Sequence, residues 1–140
     1  MTEEKKSAGH TYTVELRFLG DELEPSEISA QLNLQPSNAL SQLQSKTSKR
    51  KRRPFWAYNG QGEAGFQAEW TSLEDGLEFL LKSLSSKKTE IVTLADKFDS
   101  HWWCGHFQDS FDGGPKLSPS LLMEIGSYGV PLIIDNYFSD

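Results

Sequence analysis

Two adjacent tryptophans constrain the fold of this chain more than any other feature. Trp102 and Trp103 lie in the stretch DSHWWCGHFQDSF, residues 99–111, together with a lone cysteine and two phenylalanines. Each aromatic side chain buries on the order of 150–250 Å², so the stretch predicts the central strand of a β-sheet. Because adjacent strand residues point to opposite faces, one tryptophan must lie in the core and the other on the far face.

The length and composition indicate one domain. A chain of 140 residues buries roughly two-thirds of the surface of its unfolded form. The single cysteine excludes an intramolecular disulfide and suits a reducing compartment. The sequence contains no run of about 18 apolar residues that could span a membrane. We therefore expect a cytoplasmic protein without membrane contact, with a flexible tail at residues 1–10 and one domain at 11–140.

Hydrophobic periodicity predicts both strands and helices. Apolar residues alternate with polar ones from Tyr12 to Phe18, which predicts a strand with one buried face. Five leucines at helical spacing between Leu73 and Leu84 predict a helix. Shorter patterns predict helices after Pro25 and Pro119. They also predict strands at residues 55–58, 66–70, 88–98 and 132–138, of which 88–98 forms a hairpin with the tryptophan strand.

This order of elements predicts the α+β class. We expect a mixed, mostly antiparallel sheet of about five to seven strands, with the helices mainly on one face. The helices after Pro25 and Pro119 begin with similar sequences, and each lies between predicted strands. Two fused ferredoxin-like halves would produce this order, although proline-capped helices can also resemble each other by chance.

The charge of the chain is distributed unevenly. Six of the 14 basic residues fall within residues 46–53, and the remainder has eight basic against 20 acidic residues, a net charge of about −12. Residues 37–53 predict a long basic loop with a helical turn near 39–44. Such a loop attracts phosphate backbones, and the nearby Trp56 and Tyr58 could stack on bases. For the basic residues themselves we favour a solvated loop that folds back on the acidic body, and contact with a protein partner is a further alternative.

No pattern indicates catalysis, a metal or a cofactor. On a strand, Cys104 and His106 share one face while His101 points to the other, and no further ligands complete a zinc site. Cys104 also lies between Trp103 and Gly105 in a predicted core strand, where a thiolate is disfavoured. We therefore predict no catalytic residues and no cofactor.

Several segments together resemble a known family. They are LRFLG at residues 16–20, LEPSEI at 23–28, the basic loop that runs into Phe55 and Trp56, LSP at 117–119 and GVPLIIDNY at 129–137. This pattern resembles the bacterial domain of unknown function 4279 family over nearly all of residues 12–138. The resemblance implies a shared fold and no assigned active site. Small acidic proteins of this kind also resemble the immunity partners of bacterial toxins. This is an analogy with a class of proteins and not a match of motifs.

The sheet face without helices is the remaining candidate surface. Glu15 and Arg17 should lie on it with one of the two tryptophans, unless the central helix, the long loop or a second copy of the chain covers it. We predict a non-catalytic binding module, monomeric or homodimeric, that acts on a protein partner, with an immunity-type inhibitor as one form. Nucleic-acid binding through residues 46–53 and the adjacent aromatics is the alternative. The predicted binding residues are Arg17, Lys49, Arg50, Lys51, Arg52, Arg53, Trp56, Tyr58, Trp102, Asp135 and Tyr137.

Overall fold

One five-stranded sheet organises residues 9–139, the part of the chain that the computed structural model describes. The elements in chain order are β1 (His10–Leu19), α1 (Pro25–Leu32), β2 (Asn38–Leu40), α2 (Gln42–Thr47), β3 (Phe55–Tyr58), α3 (Leu73–Leu84), α4 (Lys88–Lys97), β4 (Asp99–Gln108), α5 (Pro119–Gly126) and β5 (Leu132–Phe138). Most of the predicted tail, residues 1–8, lies outside the described residues, and His10 already belongs to β1.

The strand order is β2-β3-β1-β4-β5, and only the β4–β5 pair is parallel. This mostly antiparallel sheet with helices confirms the α+β class. Helix α1 connects β1 to the parallel strand β2, and β3 lies between these two strands. Helix α5 connects β4 to β5, and these two strands are direct neighbours in the sheet. Each of the two proline-capped helices therefore connects a strand to a second strand parallel to it. In the first connection β3 lies between the two strands, whereas in the second the two strands are neighbours.

The core lies on one face of the sheet. Alternate residues of β1, from Tyr12 to Phe18, are buried there in a single cluster to which α1, α3, α4 and α5 all contribute. Trp102 of β4 is fully buried in this cluster, and its ring meets Tyr128 edge to face at 5.3 Å. The indole N–H of Trp102 has no hydrogen-bond partner among the described residues. Packing against other side chains, and not hydrogen bonding, therefore holds the Trp102 ring in the core.

Helix α3 confirms the leucine stripe. The five leucines at helical spacing from Leu73 to Leu84 are buried against the sheet. At the start of the helix, the Ser72 side chain accepts a hydrogen bond from the Asp75 backbone N–H. Gly76 lets the helix approach Trp70, since a Cβ at this position would lie 3.0 Å from the indole ring.

Two predicted strands are wrong. Residues 88–97 form helix α4, so the predicted hairpin with β4 does not exist. Residues 66–70 form a loop, which pairs with β1 through an isolated bridge between Trp70 and Tyr12. The predicted long loop at 37–53 contains β2 and α2. None of the helices within residues 9–139 has both the length and the apolarity to cross a membrane.

Candidate functional site

The sheet face opposite the helices, here called the open face, is the candidate site. Its positions alternate with those of the core, so they include Glu15 and Arg17 on β1, Trp103 on β4, and Asp135 and Tyr137 on β5. In the strand register Glu15 lies opposite Trp103, and Asp135 lies opposite the glycine two residues further along β4. The register therefore brings charged and aromatic residues of three strands together.

A continuous chain of contacts crosses the open face. The guanidinium of Arg17 lies over the ring of Trp103, with 4.1 Å between the Cζ atom and the ring centroid. The Arg17 Nε–H also donates to the carboxylate of Glu15. The indole Nε1–H of Trp103 donates to Oδ2 of Asp135 at 2.6 Å. A cation–π contact and two charge-assisted hydrogen bonds therefore fix the orientation of two half-exposed side chains.

Gly105 creates the space for this arrangement. A Cβ at this position would lie 2.7 Å from the Thr13 hydroxyl, 2.9 Å from the Trp103 ring and 3.0 Å from the Phe107 ring. The Phe107 ring in turn stacks on Tyr137 at a centroid distance of 5.0 Å. The absence of a side chain at Gly105 thus allows the rings of Trp103 and Phe107 to approach each other above the sheet.

An arginine-lined recess of about 320 Å³ adjoins this chain of contacts. The Arg52 guanidinium lies over the Phe55 ring at 4.9 Å. Arg53 donates to Asp99 at 2.6 Å and to Asp21 at 3.2 Å, and the hydrogen bond to Asp99 chiefly raises the pKa of Arg53. The full lining is Glu15, Arg17, Leu19, Asn38, Arg52, Arg53 and Phe55. Guanidinium groups above an apolar floor suit a planar carboxylate.

The structure places the predicted binding residues on two sides of the sheet. Arg17, Asp135 and Tyr137 lie on the open face, and residues 49–53 form an exposed segment just before β3 begins.

Three of the predicted aromatic residues face the core instead, which corrects their assignment. Trp56 and Trp102 are fully buried and Tyr58 nearly so, because the register sets them beside the buried residues of β1. Their rings are therefore not available to a ligand. Trp103, which the prediction omitted, is the tryptophan on the open face. The alternation rule required one exposed tryptophan but did not say which one.

The cysteine lies on the core face. Cys104 is fully buried, and burial raises the pKa of its thiol to about 12. A thiolate nucleophile is therefore strongly disfavoured at neutral pH. His101 lies on the opposite face beside Arg17, and burial, with a further contribution from Arg17, lowers the pKa of His101.

Two buried histidines form a hydrogen-bonded pair at the end of the sheet. His10 Nδ1 lies 2.8 Å from His106 Nε2, and the other ring nitrogens reach the Asp112 carbonyl oxygen and the Asn136 side chain. A carbonyl oxygen only accepts, so His10 donates through Nε2. The pair therefore connects β1, β4 and β5 with the loop that contains Asp112. Within residues 9–139 no three metal-ligating side chains cluster.

The fold and the site define a class of protein: a single-sheet α+β domain with one helix-covered face and one open face that carries fixed aromatic and charged residues. The family described as Domain of unknown function (DUF4279) matches residues 10–139, and the chain belongs to this family. This match confirms the resemblance seen in the sequence. No curated protein and no solved structure matches the chain.

Proposed function

We propose that this chain is a non-catalytic binding module whose open face binds a protein partner. The contact chain of Arg17, Trp103 and Asp135 is the observation that carries this proposal. Tryptophan, tyrosine and arginine are the residues most enriched among those that dominate binding energy at protein interfaces. Here all three types lie on a sheet face against which no helix packs within residues 9–139.

The fixed geometry of these side chains favours binding. A flexible arginine or tryptophan loses about 0.5–1.5 kcal/mol of conformational freedom when a partner immobilises it. Arg17 and Trp103 are already held by Glu15, Asp135 and each other, and the Arg17 side chain keeps 31% of its surface exposed. Much of the ordering cost is therefore met before a partner binds.

Charge supports an acidic partner surface. Arg17, Arg52 and Arg53 line the recess on the open face, and the remaining basic residues of the 46–53 segment are exposed. An aspartate or glutamate side chain of the partner would fit between these guanidinium groups. An immunity-type inhibitor is a special case of the proposal in which the partner is a toxin.

Nucleic-acid binding has less support than protein binding. Its stacking residues, Trp56 and Tyr58, are buried. The basic segment would have to bind phosphates without an aromatic platform beside it. The same experiment distinguishes the two functions.

The test is affinity capture with the full chain, with and without nuclease, from cells of the source organism. The wild type is compared with Arg17→Ala and Trp103→Ala, and with the control Val92→Ala, which changes an exposed residue of α4. We expect one protein to be recovered stoichiometrically by the wild type and by the control, after nuclease treatment. Recovery should fall at least about tenfold for both open-face variants, because a hot-spot residue contributes about 2 kcal/mol or more.

Two results would contradict the proposal. Equal recovery by the wild type and by both open-face variants would remove the open face from the interaction. Recovery that nuclease abolishes, and that disappears when the six basic residues of 46–53 are neutralised, would favour nucleic-acid binding instead.

A further inference from the structure

The two edges of the sheet differ in how they are protected. At one edge, β2 has only three residues and is followed by α2 and the basic segment. At the other edge, β5 has seven residues, LIIDNYF, with no proline or lysine and with Asp135 as its only charge. Short strands, lysines and prolines are the usual means of preventing edge pairing. The β5 edge has none of these.

Within residues 9–139 no strand pairs with the outer edge of β5, so this edge offers a row of backbone groups. The Trp102 N–H donates to the Pro131 carbonyl, and the Ser139 N–H donates to the Gln108 carbonyl. In the parallel ladder between these two bonds, the odd-numbered residues of β5 direct their N–H and C=O groups to β4. The outward N–H and C=O groups therefore belong to Leu132, Ile134, Asn136 and Phe138.

Exposed apolar side chains concentrate near the same edge. Five of the nine large apolar side chains that are exposed within residues 9–139 belong to β5, the end of β4 and the loop after β4. Phe107 stacks on Tyr137 on the open face, and Phe111 stacks on Phe138 at 4.4 Å between ring centroids. Because Tyr137 and Phe138 point to opposite faces, aromatic pairs flank the end of the edge strand on both sides.

We propose that β5 pairs in antiparallel orientation with β5 of a second copy, which forms one ten-stranded sheet across a two-fold axis. A register centred on Ile134 or on Asn136 pairs three outward-facing residues of each copy and so forms about six backbone hydrogen bonds. These registers also keep the Asp135 carboxylates of the two copies from lying directly opposite each other, which would be destabilising.

The apolar area supports a second copy as the occupant. A fully exposed large aromatic side chain offers roughly 150–250 Å². With their exposed fractions, the five side chains of β5, the end of β4 and the loop after β4 together offer roughly 500 Å². The exposed backbone of the edge strand adds to this area, and a stable interface buries about 800 Å² per partner. A two-fold axis doubles this contribution because each copy brings the same residues. A single added peptide strand would cover the edge but leave the flanking aromatic pairs largely exposed.

The test is the mass of the full chain in solution, measured by sedimentation equilibrium with increasing concentration. We expect the wild type to reach twice its 15.8 kDa at about 100 µM. Phe138→Lys and Ile133→Lys should weaken association at least about tenfold, since a lysine on an edge opposes strand pairing. Leu43→Lys and Val92→Lys place the same charge on exposed apolar residues of α2 and α4, outside the edge strand, and should dimerise like the wild type.

Amide hydrogen exchange adds a readout that needs no variant. The Ile134 and Asn136 amides should exchange more slowly as the concentration of the wild type rises, because only dimerisation gives them partners. A monomeric mass over the whole range would overturn the proposal. It would also be overturned by a dimer that both edge variants leave intact, or by exchange at these two amides that does not depend on concentration.

Discussion

The two faces of the sheet are built from the same strands but hold their residues in different ways. On the helix-covered face, β1 and β4 place Leu16, Phe18 and Trp102 in full burial among leucines of the helices. On the open face, the same two strands place Arg17 and Trp103 in partial exposure, held by ion pairing, stacking and hydrogen bonds. The first face is fixed by the removal of apolar surface from water, and the second by directional contacts.

This difference separates stability from recognition. Burial of a large apolar side chain contributes about 1.5–3 kcal/mol, whereas a half-exposed cation–π contact contributes about 0.5–1 kcal/mol. Stability should therefore depend chiefly on the covered face. The contacts of the open face contribute less to stability, which under the proposed function leaves its polar and aromatic groups available to a partner.

The largest expected effect separates the adjacent tryptophans. Trp102→Ala should lower the free energy of unfolding by about 3–5 kcal/mol, as is typical when a large aromatic side chain is removed from a core. Trp103→Ala should lower it by only about 1–2 kcal/mol, because it removes one hydrogen bond and one cation–π contact. Urea denaturation measures both. Equal losses would show that the two faces do not differ in this way.

A second effect compares two glycines. Gly105→Ala should destabilise the fold by about 1–2 kcal/mol, because the new methyl group would press on Trp103, Phe107 and Thr13. Gly126→Ala, at the end of α5, meets no atom within 4 Å and should stabilise by about 0.5 kcal/mol. Thermal unfolding of the two variants checks this pair. If Gly105→Ala left the thermal stability unchanged, the rings of the open face would be loosely packed.

The buried thiol predicts a loss of stability at alkaline pH. Burial raises the pKa of the Cys104 thiol in the folded chain from its ordinary value of 9.0 to about 12, so the thiol of the unfolded chain loses its proton first as the pH rises. The stabilising contribution is complete below pH 9 and declines between about pH 9 and 12. Near pH 10 the loss should be about 1 kcal/mol. Urea denaturation of wild type and Cys104→Ala should show a steeper decline for the wild type, and parallel curves would contradict the burial of the thiol.

The smallest effect concerns the ion pairs of Arg53. Its partners Asp21 and Asp99 are 81% and 67% exposed, so water and salt screen both contacts. Arg53→Ala should cost less than about 1 kcal/mol, and the difference should shrink further at 1 M salt. Urea denaturation at two salt concentrations measures it. A large, salt-independent loss would instead assign Arg53 a structural role at the edge of the recess.

The sequence predicted long regular patterns best. The five-leucine stripe of α3 and the alternation of β1 were both confirmed, since each extends over several turns or residue pairs. Residues 88–97 were misassigned because Val92 and Leu94 fit alternation as well as Ile91 and Leu94 fit helical spacing. The structure buries Ile91 and Leu94 and leaves Val92 exposed. In so short a segment, tertiary packing decides between the two periods.

The candidate site was predicted only in part. Arg17 followed from the alternation of β1, but the choice between Trp102 and Trp103 depends on which residues pair across strands. Trp56 and Tyr58 were expected at the surface because a basic segment precedes them. The insertion of β3 between β2 and β1 buries them instead, and the local sequence does not contain that long-range information.

Oxidative footprinting of the four tryptophans, free and in complex with the captured partner, tests the open face most directly. Trp56, Trp70 and Trp102 are buried and serve as internal controls, while Trp103 is accessible from the open face. We predict that the partner protects Trp103 from oxidation and leaves Met123, which is 76% exposed on α5, as reactive as before. Protection of Met123 with unchanged oxidation of Trp103 would place the interface on the helix side and contradict the proposal.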